Sequence, residues 1–299
     1  MRVFNVPASA PFLRTVIAAL IDGRLIDGFE ARRHPEQLAR ATLFLPTRRA
    51  TRTARDVFLD VLETDAAILP RLIALGDIDE DELAFAQATS NPDAAITIPP
   101  ALGALARRLT LARLIAAWSA SLRRAAPDDS PLVVTGPASA LALADDLARL
   151  MDDMETRGAS WDALDTLVPA EHDRYWQLTL DFLKIARKAW PDFLAERGAI
   201  EPAQRRDQLI AAEAARLALQ HDGPVIAAGS TGSMPATAQF LHAIAKLKNG
   251  AVVLPGLDTD LDDASWQTIG SGGSADDTPA PSHPQFALHG LLARFGLRR

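Results

Sequence analysis

Two short apolar segments near the start of the chain are each followed by a proline-containing break and then by a helical pattern. The first is Val3–Val6, with a helix from about residue 12, and the second is Thr42–Leu45, with a helix from about Thr47. The second helix carries apolar residues at helical spacing: Ala50, Ala54, Val57, Phe58, Val61 and Leu62. The same alternation returns at Val225–Ala228 and Ala251–Leu254, joined by a helix that ends near residue 247. This pattern predicts an α/β fold whose strands, from both ends of the chain, form one mainly parallel sheet.

The middle of the chain has a different sequence pattern, because Ala, Leu and Arg repeat there with a helical period. Gly158 and Gly198 follow charged final turns and mark helix ends, and Pro191 and Pro202 mark further helix ends. The tryptophans of this block are predicted to be core residues. The predicted organisation is a first part of the α/β domain at 1–100, a helical insertion at 101–220, a second part of the α/β domain at 221–262, and a flexible loop with the start of a following region at 263–299.

The composition is that of a soluble globular protein, with 299 residues, 48% hydrophobic residues and a net charge of −7. No apolar run reaches the length of a membrane span and no signal-like segment begins the sequence, so a cytoplasmic location is expected. The lack of cysteine excludes disulfides, thiolate metal sites, iron–sulfur clusters and cysteine nucleophiles from these residues. Six scattered histidines show no paired ligand spacing, so no metal site is predicted.

The loop Pro7-Ala8-Ser9-Ala10-Pro11 stands where a nucleotide-binding α/β domain keeps its phosphate-binding loop. Such a loop needs glycines, whose backbone N–H groups point at the anion, and a lysine that reaches the phosphates. This loop has neither, and each proline removes an N–H group that the cradle would have used. The residues therefore fit either an ordinary strand-to-helix turn or a nucleotide site that has been lost.

A second strand-to-helix turn, Gly229-x-x-Gly232, fits a dinucleotide site. Asp258 follows the next strand, where a ribose-binding acid would stand. The third glycine of that motif is missing, and only about 40 residues follow Asp258, which disfavours a Rossmann-type enzyme. The alternative interpretation makes the hydroxyl residues of the turn helix caps, namely Ser230, Thr231 and Ser233.

Four arginines lie at the start of the second predicted helix, in the sequence PTRRATRTAR. Arg48, Arg52 and Arg55 are spaced i, i+4 and i+7, so they share one helix face, and Arg49 flanks them near the N-terminus. The N–H groups of a helix start also favour phosphate. Residues 1–60 hold ten Lys/Arg against six Asp/Glu, whereas residues 61–100 hold one against eight. The pattern fits either a phosphate-contacting face or a solvated face beside the apolar stripe.

The acidic segment GDIDEDELAF offers the hard oxygen donors that metal sites use. Its spacing lacks the glycine and distal glutamate of a calcium loop. Asp81 and Glu82 instead suit the first turn of a helix, so a solvated helix start is the favoured interpretation.

Several segments, taken in order, resemble the AddB family of double-strand-break repair subunits in its alphaproteobacterial form. They are VFNVPASAPFLRTVIAALIDGRL, LFLPTRRATRTARDVFL, LGDIDEDEL, LADDLARLMDDMET, YWQLTLDFLKIARKAWPDFLAERG and GPVIAAGSTGSMPATAQFLHAIAKL…GAVVLPGLD. Each segment is short, and the resemblance rests on their combination across nearly the whole chain.

The resemblance implies a RecA-like, superfamily 1 helicase-like parallel sheet with a large helical insertion. It also implies an AddA-like helicase–nuclease partner that supplies the motor, DNA ends as the substrate, and no membrane. Members of the family carry a nuclease with an iron–sulfur cluster far downstream, and nothing in this sequence corresponds to it. For this segment the resemblance therefore implies no cofactor.

In an active helicase of this superfamily the first strand ends in a glycine/lysine phosphate loop and a later strand ends in an Asp-Glu pair. The matching places here hold Pro7–Pro11 and Ala228-Gly229-Ser230. The resemblance therefore implies a non-catalytic scaffold with degenerate nucleotide motifs, in which Arg48, Arg49, Arg52 and Arg55 match a DNA-contacting segment. An active P-loop ATPase and a Rossmann-type nucleotide-binding enzyme stay open as alternatives.

Overall fold

Five parallel strands from the two ends of the chain form one sheet in the computed structural model. The model describes residues 1–75, 98–125, 136–166, 174–219, 221, 223–271 and 279–299. The strands are β1 (Val3–Val6), β2 (Thr42–Leu45), β3 (Arg71–Ala74), β4 (Val225–Ala228) and β5 (Gly250–Pro255). Their order across the sheet is β1-β5-β4-β2-β3, and every neighbouring pair is parallel. The prediction that four of these strands share one parallel sheet is confirmed, whereas β3 was not predicted as a strand.

The helices are numbered along the chain. They are α1 (Phe12–Ile21), α2 (Arg48–Leu62), α3 (Ala104–Ala125), α4 (Pro137–Arg157), α5 (Arg174–Lys184), α6 (Trp190–Glu196), α7 (Pro202–Leu219), α8 (Pro235–Lys246), α9 (Asp263–Ser271) and α10 (Phe286–Phe295). Two 3-10 helices lie at Pro35–Arg40 and Trp161–Thr166, and a π-helical turn lies at Ile185–Ala189. None of the described helices is long and apolar enough to cross a membrane.

The sheet is covered on both faces. Leu43 and Leu45 of β2 belong to a core that also holds buried residues of α1 and α2, whereas Phe44 lies in a second core with Phe240 of α8. The same alternation is found in β4 and β5, which are buried on both faces, as parallel strands usually are. The connections from β1 to β2 and from β2 to β3 run one way along the sheet, and the connection from β4 to β5 runs the other way. Right-handed crossovers in opposite directions place their helices on opposite faces, as observed.

Contacts divide the chain into one unit of residues 1–96 and 209–299 and a second unit of residues 97–208. The predicted insertion runs to residue 220, whereas the second unit ends at residue 208. This boundary lies within α7, so the helix begins in the second unit and ends in the first. The second unit has its own helical core, in which Trp190 is 1% exposed and Trp118 and Trp161 are partly buried. Gly158 ends α4 in a left-handed conformation, as predicted, whereas Pro191 lies in the first turn of α6 and ends no helix.

The C-terminal residues of the chain add two helices to the first unit. Residues 263–271, expected within a flexible loop, instead form α9, which begins where the carboxylate of Asp262 accepts a hydrogen bond from the N–H of Ser265 (2.8 Å). Trp266 of α9 and Leu291 of α10 are buried in the same core as β4 and β5. The last helix therefore packs on the core of the first unit.

Candidate nucleic-acid interface

The turns that follow β1, β2, β4 and β5 lie at one edge of the sheet, because parallel strands all end on the same side. Backbone hydrogen bonds tie these strand ends together: the N–H of Gly229 donates to the carbonyl of Val253 (3.0 Å), and that of Gly256 donates to the carbonyl of Val6 (2.8 Å). A Cβ atom at Gly256 would lie 3.4 Å from the Cβ of Ala8. The loop Pro7–Pro11 therefore packs against the turn after β5.

Hydrogen bonding within the loop Pro7–Pro11 leaves few groups to face an anion. The N–H of Ala10 donates to the carbonyl of Pro7 (3.0 Å), which closes a turn. The two prolines have no N–H group, and α1 begins after Pro11 without a side-chain cap. Only Ala8 and Ser9 keep an N–H group outside the turn bond, so the loop cannot form an amide cradle.

An aromatic ring from the first turn of α1 lies against the turn that follows β4. A Cβ atom at Gly229 would lie 3.1 Å from Cε1 of Phe12 and 3.4 Å from Cγ of Pro46. Gly229 has φ +83°, a conformation that glycine adopts without strain. The glycine therefore serves a tight turn against Phe12. β4 ends at Ala228, and neither this residue nor Gly229 and Ser230 after it is acidic.

The second glycine of the β4–α8 turn is covered by α10. A Cβ atom at Gly232 would lie only 2.6 Å from Cδ1 of Leu291, and the N–H of Gly232 donates to Oγ of Ser230 (3.3 Å). Helix α8 begins after Met234 with no side-chain cap, so the predicted capping by Ser230, Thr231 and Ser233 is wrong. Ser230 stabilises the turn itself. The close approach of Leu291 leaves no room for a pyrophosphate over Gly232.

Asp258 is also occupied by its own turn. Its carboxylate oxygen Oδ1 accepts hydrogen bonds from the N–H groups of Asp260 (2.8 Å) and Leu261 (3.1 Å). Gln285, just before α10, accepts from the N–H of Asp258 (3.1 Å) and donates to the carbonyl of Gly256 (3.0 Å). These contacts give Asp258 a structural role and remove the ribose-binding acid that a Rossmann-type site would need.

The four predicted arginines all lie in the first two turns of α2 and are exposed. The helix begins as predicted, because Oγ1 of Thr47 accepts a hydrogen bond from the N–H of Ala50 (3.1 Å). The buried side of α2 is formed by Thr51, Ala54, Phe58 and Val61. The arginines therefore project away from the core at the end of α2 where the helix dipole is positive. We call these four residues, Arg48, Arg49, Arg52 and Arg55, the arginine face.

The arginine face differs from other exposed arginines of the same unit. Arg24 and Arg32 both pair with Asp22 (3.4 and 2.9 Å), and Arg33 pairs with Glu30 (3.0 Å). Arg49, Arg52 and Arg55 form no ion pair with any residue that the structure describes, whereas Arg48 takes part in a further interaction. Their positive charge is therefore less compensated locally than that of the paired arginines.

Sequence reasoning missed Arg14, which is exposed in the first turn of α1. Helix α1 packs beside α2 and begins at the same sheet edge. The position of Arg14 just after the loop Pro7–Pro11 is the sequence feature that could have identified it.

The acidic segment at 77–82 lies outside the described residues.

The residues that the structure describes contain no group of three or more histidine, aspartate or glutamate side chains that could hold a metal ion. No protein-family model matches the chain. The search of curated proteins likewise gave no match.

Proposed function

We propose that this chain is a helicase-like, AddB-like segment that guides DNA without hydrolysing ATP. Its substrate is a DNA end, and an AddA-like helicase–nuclease subunit supplies the motor. The observation that carries the proposal is the arginine face, which places exposed guanidinium groups at the N-terminus of α2.

The chemistry of the arginine face suits a phosphate backbone. A guanidinium group donates several hydrogen bonds in a plane and stays charged at all physiological pH values. Three of the four residues share one helix face, so adjacent phosphates of one strand can be met by adjacent turns of α2. Contacts of this kind bind any sequence and depend strongly on salt. The net charge of −7 argues against indiscriminate coating of nucleic acid, so binding is confined to a local basic surface.

The sheet edge beside the arginine face supports a non-catalytic role. An ATPase site needs an amide cradle, a lysine and acids that hold Mg²⁺. Here the loop Pro7–Pro11 is closed on itself, Phe12 contacts Gly229, and β4 ends without an acid. An active P-loop ATPase is therefore the less favoured alternative.

The order of the strands supports a helicase-like ancestry for this edge. The strands that follow the helical unit, β4 and β5, lie between β1 and β2 in the sheet. Because all of these strands are parallel, the loop after β1 and the end of β4 lie at the same edge. A nucleotide site built from those two places needs this arrangement. On this proposal the fold is RecA-like, and the same reading frame encodes a cysteine-bearing nuclease with an iron–sulfur cluster beside a gene for an AddA-like subunit.

A pair of charge-matched variants tests the proposal. In the first, Arg49, Arg52 and Arg55 are changed to alanine, and Arg48 is kept because it makes another interaction. In the control, the carboxylate-paired Arg24, Arg32 and Arg33 are changed to alanine, which removes the same net charge from the same unit. Fluorescence anisotropy with a labelled single strand and a blunt hairpin, at low salt, gives the affinities.

The first variant should lose most of the affinity of the wild-type chain for both DNA probes, and the control should lose little. Equal losses in both variants would mean that net charge alone attracts DNA. Unchanged affinity in the first variant would reduce the arginine face to a solvated helix surface and overturn the proposal.

A further inference from the structure

The helical unit contains a cavity of about 410 Å³. Its floor holds buried side chains of Met151, Trp190 and Leu194, and Trp161 is among the partly buried residues that line it. Glu201 forms part of the wall, and exposed Glu155 also lines the cavity. Small-molecule sites range from roughly 300 to 1,000 Å³ and combine apolar walls with a few polar groups, so this cavity has the size and lining of such a site.

Glu201 belongs to an ion-pair cluster in which the buried Arg107 faces two carboxylates, those of Glu201 and the partly exposed Asp152. Arg107 is 8% exposed and donates to both oxygens of Asp152 (2.9 and 3.1 Å). The same guanidinium lies 2.6 Å from Oε2 of Glu201, and the indole N–H of Trp190 donates to Oε1. One guanidinium therefore serves two carboxylates. Burial raises the pKa of Glu201, and this effect outweighs the opposing one of the nearby Arg107.

Two arginines near the cavity lining pair with carboxylates that do not line it. Arg187 pairs with Asp162 (2.9 Å), and Arg206 pairs with Asp207 (2.9 Å).

The backbone beside the cavity departs from a regular helix. The π-helical turn Ile185–Ala189 joins α5 to α6, and its Ala186 lines the cavity. π-Helical turns interrupt regular hydrogen bonding and occur frequently at functional sites. This turn is a feature of the wall that is independent of the carboxylates.

We propose that this cavity binds an organic cation, meaning an ammonium or guanidinium group attached to an apolar body. The carboxylate of Glu201 and that of Glu155 attract the charge, and the indole rings and Leu194 receive the apolar body. The cation belongs either to a free amine or to a lysine or arginine side chain of a peptide, which share this chemistry.

The test uses the full chain and three probes with one apolar body: 4-phenylbutylamine, 4-phenylbutanol and 4-phenylbutyrate. Titrations are followed by the indole ¹H–¹⁵N signals of Trp161 and Trp190, assigned with tryptophan-to-phenylalanine variants. We expect the amine to shift both signals saturably, the alcohol to bind about tenfold more weakly, and the carboxylate to bind least. Equal binding of all three probes, or no shift with the amine, would overturn the proposal.

Two variants locate the site. Glu201→Gln keeps an acceptor for the indole of Trp190 but removes the charge, and Glu155→Gln removes the exposed charge that lines the cavity. Each should weaken binding of the amine and leave binding of the alcohol unchanged. Glu196→Gln, which lies outside the cavity lining, should change the binding of neither probe. If Glu201→Gln does not fold, Glu155→Gln and the space-filling Ala195→Trp, which should abolish binding of every probe, decide the question. Unweakened amine binding in those variants would contradict the proposal.

A capped peptide, acetyl-Gly-Arg-Gly-amide, distinguishes the two sources of the cation. Saturation by this peptide at lower concentration than by 4-phenylbutylamine identifies a side chain of a partner. The reverse order identifies a free amine. If the Ala195→Trp variant binds neither the peptide nor 4-phenylbutylamine, both ligands bind at this cavity.

Discussion

The first two strand-to-helix turns of this chain share one sequence pattern, but one is covered by an apolar side chain and the other exposes charged side chains. After β1 the chain passes through Pro7–Pro11 into α1, whose first residue, Phe12, lies against Gly229 after β4. After β2 it passes through Pro46 and Thr47 into α2, whose first turns expose the arginine face. Both helices pack on the same core of the sheet. The first turn is closed by apolar packing, and the second exposes four guanidinium groups.

The difference shows that a helix start at the edge of a parallel sheet is only a potential anion site. The backbone dipole is similar in both turns, and it adds modestly to affinity. What separates them is the side chains: an aromatic ring that fills space in one turn, and guanidinium groups in the other. DNA at this edge is therefore expected to contact α2 and not the loop after β1.

The largest effect on stability is expected from a substitution at Phe58 in α2. Phe58 is fully buried, so Phe58→Ala should lower the free energy of unfolding by about 3–5 kcal/mol. Phe12→Ala removes a ring that is only partly buried and should cost about half as much. Urea unfolding followed by circular dichroism measures both. A larger loss for Phe12→Ala than for Phe58→Ala would mean that the closed turn carries more of the fold than α2 does.

A smaller loss is expected at Gly232, the glycine covered by α10. Gly232→Ala places a Cβ atom 2.6 Å from Cδ1 of Leu291 and forces a left-handed backbone at φ +60° on an L-residue, so we expect about 2 kcal/mol of destabilisation. Leu291→Ala relieves the overlap, so the double variant should be more stable than the sum of the two single losses predicts. Strict additivity would show that Leu291 does not close this turn.

The N-cap of α2 separates the stability of the helix from its charge. Thr47→Ala removes the hydrogen bond to Ala50 and should lower stability by about 1 kcal/mol. Thr47→Asp keeps a capping oxygen but places a carboxylate beside the arginine face. It should retain stability and still weaken DNA binding. If DNA affinity instead follows stability through both variants, helix integrity and not charge governs binding.

No effect at all is expected from nucleotide. Because the loop Pro7–Pro11 lacks an amide cradle and β4 ends without an acid, ATP with Mg²⁺ should neither bind measurably nor raise the melting temperature. Phe12→Ala, which opens the turn, should leave this unchanged, since space alone supplies no phosphate ligand. Saturable binding of a fluorescent ATP analogue that disappears on altering Pro7–Pro11 would restore the active ATPase alternative.

Local patterns predicted most of the sheet, and contacts distant in sequence account for what they missed. β1, β2 and β4 have the predicted bounds, and β5 is one residue longer at each end. The start of α2 followed from Thr47, since a cap and an apolar stripe are local signals. β3 and α9 were missed, because Pro70 precedes the first and a Gly/Ser-rich composition follows the second.

The arginine face was visible in the sequence because its spacing lies within one helix. The contact of Phe12 with Gly229 and that of Leu291 with Gly232 join residues far apart in the chain, and no periodicity predicts them. The role of Asp258 was also hidden, since its hydrogen bonds depend on the shape of its turn. The sequence thus predicted which charges are exposed, whereas the side-chain contacts that close the turns were found only in the structure.

The salt dependence of DNA binding tests the central claim most directly. For the wild-type chain and the Arg49/Arg52/Arg55→Ala variant, the logarithm of the affinity for a labelled DNA end is plotted against the logarithm of salt concentration. Loss of three phosphate contacts should make the slope shallower by roughly 2 to 3, equally for unrelated DNA sequences, while the Arg24/Arg32/Arg33→Ala control keeps the wild-type slope. The same slope in all three proteins would contradict DNA guidance by the arginine face.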